Sequence, residues 1–126
     1  MKRLLIAHNR SWQRRILQAS LARCGYEVSE AGSRAEAEQF LYSAPPDALL
    51  VDADLDGDAA LPMCEAFVQA AGDAAPLICV LARRIDAPRD ALWRQLPGAL
   101  MVDMPPSARV LSRQIEQHFG DARDDA

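Results

Sequence analysis

The chain has 126 residues, half of them apolar, with 14 basic and 18 acidic side chains and a formal net charge of −4. That length suits one domain with a substantial core, and the acid excess leaves no basic stripe of the kind nucleic acid demands, so direct DNA or RNA binding is not expected. No apolar stretch approaches a membrane span and no signal-peptide core is present, so a cytoplasmic protein is expected. Cys24, Cys64 and Cys79 are odd in number and scattered among apolar neighbours. They suggest neither a disulfide framework nor a zinc site and are expected to be buried thiols.

Residues 4–7 form a short apolar run that reads as a strand, after which the chain turns polar at His8, Asn9 and Arg10. Ser11 is placed to cap a helix carrying Ile16, Leu17, Leu21 and Cys24, with Gly25 as its stop. A more polar strand is expected over 26–31. Ser33 and Glu36 then make the reciprocal capping pattern of a second helix, with Ala37, Phe40 and Leu41 on its apolar face. After a third strand, Leu61, Cys64, Phe67, Val68 and Ala71 trace another helical stripe, with Pro62 in its first turn and Gly72 at its end. Pro76 opens the unbroken apolar run 77–81, as in a strand covered on both faces. A short helix over 88–96, a last strand over 99–102 and a helix from Ser107 carrying Val110, Leu111, Ile115 and Phe119 complete the pattern. Gly120 is expected to close that helix, giving a domain over 1–120 and a polar tail or linker start over 121–126.

Five apolar runs alternating with five helical patterns describe a doubly wound α/β fold, a five-stranded parallel sheet of order 2-1-3-4-5 with helices on both faces. In such sheets ligands and chemistry sit at the carboxyl ends of the strands. The third apolar run ends there in Asp52, Asp54, Asp56 and Asp58, four carboxylates at alternate positions around Gly57. Like charges so close raise one another's pKa unless cations answer them. Arg10, Arg83 and Arg84 fall on the same rim, and one of them is expected to pair with Asp52. Two other chemistries fit the acidic stretch in part. Asp52-x-Asp54-x-Asp56-Gly57 matches the first half of a calcium loop, whose twelfth position should be Glu and is Met63. Asp54-x-Asp56-Gly57 resembles the nucleophile motif of haloacid-dehalogenase-type phosphatases, with Asp58 in place of the usual Thr.

The order and spacing of Pro46 through Cys64, with Pro76, Gly98-Ala99 and Pro105, resemble the receiver domain of bacterial response regulators over nearly the whole chain. The resemblance implies Asp52 as the phosphoacceptor position. It also implies an acidic pair for Mg²⁺ after the first strand, a hydroxyl after the fourth, and a lysine and an aromatic switch at the last. This chain has His8 and Asn9, Leu81 (Ala82 if the register slips by one), Met104 and Met101 at those places. Composition carries the same losses: Glu27 is the first carboxylate, Lys2 the only lysine, and threonine is absent. An Asn and a His in place of two carboxylates remove charge where a hard cation needs it, so Mg²⁺ binding is expected to be weak or absent, with no cofactor. His118, on the last helix, is not expected to take a role.

The expectation is a degenerate receiver, not an enzyme, acting as a phosphorylation-independent protein interaction module in bacterial signalling or transcriptional control. A protein partner or output domain would meet the fourth helix, last strand and fifth helix through Trp93, Met101, Arg109 and Arg113, the same face serving a homodimer. The alternatives are a receiver still phosphorylated on Asp52 by a non-standard route and a phosphatase using Asp54 and Asp56.

Overall fold

The computed structural model describes residues 2–82, 87–103 and 107–124. In chain order these form β1 (Arg3–Ala7), α1 (Ser11–Arg23), β2 (Glu27–Ala31), α2 (Arg34–Ser43), β3 (Ala48–Asp52), α3 (Ala60–Ala71), a 3-10 turn (Gly72–Ala74), β4 (Leu77–Ala82), α4 (Ala87–Arg94), β5 (Ala99–Asp103) and α5 (Ala108–Asp124). The strands pair in parallel in the order β2-β1-β3-β4-β5, the doubly wound topology expected from the sequence.

Strand side chains alternate between faces, and here both faces are apolar. Leu4, Ile6, Leu50, Cys79 and Leu81 pack under α1 and α5, against Leu17, Leu21, Leu111 and Ile115. Leu5, Leu49, Val51, Ile78 and Val80 pack under α2, α3 and α4, against Leu41, Met63, Cys64, Phe67 and Trp93. With these strands sealed above and below, polar chemistry is confined to their ends.

Several local expectations are corrected. Ser11 is the first residue of α1 rather than its cap, a position held by Arg10 without a side-chain cap bond. Ile16 is 58 % exposed because its neighbour Leu17 takes the core position, and Cys24 is exposed where α1 ends. Trp93, expected on a partner-facing surface, is only 2 % exposed, while the adjacent Leu92 is 53 % exposed. In both adjacent pairs the helix can turn only one side chain inward. α5 also continues through Gly120 to Asp124, since one glycine costs a helix only about 1 kcal/mol relative to alanine.

The capping pattern of α2 forms with one shift. Glu36 N–H donates to Ser33 Oγ at 3.2 Å, while the Glu36 carboxylate accepts from Gly32 N–H at 3.2 Å, one residue upstream of the reciprocal position. At the other end of β2 Tyr26 ties the start of the strand to α5, its phenol donating to Glu116 at 2.7 Å and lying 3.3 Å from Ser112 Oγ. Burial, reinforced by the Glu116 carboxylate and partly offset by Ser112, pushes the Tyr26 phenol up from 10.0 to about 12. A raised phenol contributes stability that is complete below pH 10 and is lost as pH rises through about 12. Replacing Tyr26 with Phe should therefore cost about 1 kcal/mol at neutral pH. It should also flatten the alkaline limb of the stability curve, both read by urea unfolding as a function of pH.

Candidate functional site

Parallel pairing brings the ends of β1, β3 and β4 to one rim, with Ala7 beside Val51 and Asp52 beside Leu81. The next residue after β1 is His8, which is buried, and its Nε2 lies 3.5 Å from Asp52 Oδ2. His8 Nδ1 accepts the Arg10 backbone N–H at 3.0 Å, which in the neutral ring leaves the proton on Nε2, facing Asp52. The other carboxylate oxygen of Asp52, Oδ1, accepts Asp54 N–H at 3.1 Å, an Asx-type turn that starts the loop. Asp52 thus has an imidazole at 3.5 Å on one side and a hydrogen-bonding backbone amide on the other, both from its own rim.

Asn9 closes the rim with a reciprocal pair. Its Oδ1 accepts Asp56 N–H at 2.8 Å and its Nδ2 donates to Asp56 Oδ1 at 2.8 Å, with a further bond to Gly32 O at 3.0 Å. Asp56 Oδ2 accepts Arg34 N–H at 2.7 Å, which sets the carboxylate against the first turn of α2, where the backbone N–H groups favour an anion. Asp56 adopts φ 49° and Gly57 φ 77°, the left-handed turn that lets the loop double back onto Asn9. The Arg34 amide first, then the Asn9 side chain, holds the Asp56 carboxyl below its usual 3.8. The crowded aspartates were expected to raise one another; at Asp56 neutral donors reverse the sign. Arg14, spanning Glu30 at 3.1 Å and His8 O at 2.7 Å across Gly32, buttresses the same corner.

Among the described residues Asp52 is faced by His8, and Arg10, one of the three arginines expected to pair with it, is exposed and makes no ion pair with a described residue. Arg83, Arg84 and Met104 lie outside the described residues. Leu81 is fully buried in the α1/α5 core and Ala82 faces the other core, so among the described residues the end of β4 offers Asp52 no polar side chain. Asp54 is exposed beyond the turn. Met63, at the last calcium position, is buried on α3. Met101 is half-buried, while Arg109 and Arg113 are exposed on α5. Sequence reasoning missed the roles of Asp56, Arg34 and Arg14; the signal available for the first was Asp56-Gly57, a dipeptide suited to a left-handed turn.

No protein-family model matches the chain, and no curated protein matches it. Solved structures do. A CheY-like response regulator receiver domain from Methanospirillum hungatei superposes with a TM-score of 0.87 at 16 % identity, covering 100 % of this chain and 99 % of that one. A two-component response regulator from Clostridium difficile gives 0.82 at 16 %, covering 93 % and 94 %. The chemotaxis response regulator CheY4 of Vibrio cholerae gives 0.82 at 16 %, covering 93 % and 98 %. The chain has the receiver-domain fold of CheY-like response regulators.

Receivers are expected to hold Mg²⁺ at this rim, and the donors here do not suit it. A small hard cation needs six oxygens in a strict octahedron, normally with one or two free carboxylates. Here the Asp52 oxygens face an imidazole N–H and a backbone amide, and both ends of the Asn9 amide are engaged. No group of three acidic, histidine or cysteine side chains able to hold a metal occurs among the described residues.

Because the Asp56 carboxyl is depressed, its contribution to stability is complete above pH 3.8 and is lost as pH falls through its lower folded value. Asp56→Asn, which tolerates the left-handed backbone, should lower stability at pH 7 and narrow the difference between pH 7 and pH 3, measured by chemical unfolding at both.

Proposed function

We propose that this chain is a receiver-like signalling module that holds one conformation without phosphorylation and acts by binding a protein partner or output domain, not as an enzyme. The observation that carries this is the answered carboxylate: Asp52 meets His8 Nε2 at 3.5 Å and Asp54 N–H at 3.1 Å, where a phosphoacceptor would need a cation and an open oxygen. Phosphoryl transfer is mostly positioning and electrostatic stabilisation, and this rim supplies a neutral amide, a histidine and a buried leucine. Mg²⁺ binding is accordingly weak or absent. On the face first suggested for partners, Arg109, Arg113 and the half-exposed Val110 of α5 are accessible, with Leu92 rather than Trp93 representing α4. The receiver fold supports a signalling role, which we place in bacterial signal transduction or transcriptional control.

Amide NMR spectra with and without Mg²⁺ and beryllofluoride, which together imitate a phosphorylated aspartate, test this directly. The expected spectra superimpose around Asp52 and along β5. Shifts spreading from Asp52 toward Met101 would restore the chain to phosphorelay chemistry.

A further inference from the structure

Charge is unevenly distributed along this chain. The first 26 residues carry six basic side chains and no acid, so the remaining 100 carry a net charge of −10. α1, which carries Arg14, Arg15 and Arg23 and no acid, covers one side of the sheet with α5, while α2, α3 and α4 cover the other. On α1, Trp12 is 62 % and Ile16 58 % exposed, one helical turn apart, with exposed Arg15 between them. Large apolar side chains side by side on a helix surface, next to an exposed arginine, have the composition of an interface core rather than of ordinary surface.

Across the sheet lies a shape that matches. Two hollows of about 380 and 370 Å³ share Leu61 and Leu92 and run together as a groove between α3 and α4. Val68 and Pro97 extend its apolar lining, and among the described residues along it the acids are Glu65 and Asp58. An indole fits a hollow of this size, and the two lining acids are opposite in charge to Arg15 beside Trp12.

We infer that the chain associates with itself head to tail, the Trp12 and Ile16 knob on α1 of one copy entering the α3–α4 groove of the next, with Arg15 set against Glu65 and Asp58. Knob and groove lie on opposite sides of the sheet, so the contact is heterologous: each associated pair keeps one free knob and one free groove, and association continues as an open chain or a large ring. Complementary charge sets the orientation and makes the association sensitive to salt. This is distinct from a homodimer through α4, β5 and α5 and does not depend on the state of Asp52.

Sedimentation velocity of the full chain up to about 1 mM, the weak end of ordinary affinities, tests it with two complementary variants. Trp12→Ala removes the knob and leaves the groove; Leu92→Glu spoils the groove and leaves the knob. Both positions are exposed, and Glu65→Arg serves as the groove variant if Leu92→Glu does not fold by circular dichroism. The wild type should show a mass that rises with concentration above the 13.8 kDa monomer and falls with added salt. Each variant alone should be a monomer, and their equimolar mixture should form a dimer of twice the monomer mass, because one intact knob then meets one intact groove. A wild type that stays monomeric throughout, variants that still associate alone, or a mixture that fails to pair would each overturn the proposal.

Discussion

Burial of β1, β3 and β4 on both faces is the constraint from which the rest follows. Strands sealed by two apolar cores have no outlet for polar side chains except at their ends, so His8, Asn9 and Asp52 are delivered to one rim by register alone. A buried polar group must be paired where it stands. The rim therefore had to acquire partners for Asp52, and it acquired them from within the chain.

The same requirement organises the loop beyond β3. Asp56 crosses back to Asn9 and the first turn of α2, joining the ends of β1 and β3 to the start of α2 through neutral donors. The rim of this receiver-like fold is thereby cross-linked through hydrogen bonds made within the chain.

Strand positions were legible because buried parallel strands are short unbroken apolar runs bounded by proline, glycine and aspartate, and these occur in the order that admits one topology. The place of Asp52 followed directly. The partners of that site were less legible, since Asn9 and Asp56 lie 47 residues apart and nothing local marks a reciprocal amide–carboxylate pair. Adjacent apolar residues were ambiguous for another reason: at Ile16-Leu17 and Leu92-Trp93 one side chain must turn outward, and composition does not say which. The core takes Leu17 and Trp93, and so the exposed apolar surface belongs to residues that periodicity alone had assigned to the interior or passed over. Gly120 misled similarly, being a familiar helix stop that α5 simply incorporates.

The three cysteines are chemically unlike, with a practical consequence. Cys24 is exposed at the end of α1, whereas burial pushes the thiols of Cys64 and Cys79 up to about 12. Thiolates, not thiols, are the reactive species, so alkylating reagents are directed to Cys24 in the folded protein. A fluorophore placed there would ride on the same helix as Trp12. The two buried sulfurs, on α3 and β4, become available only when the core opens, so the pace of their modification would time that opening from inside the molecule.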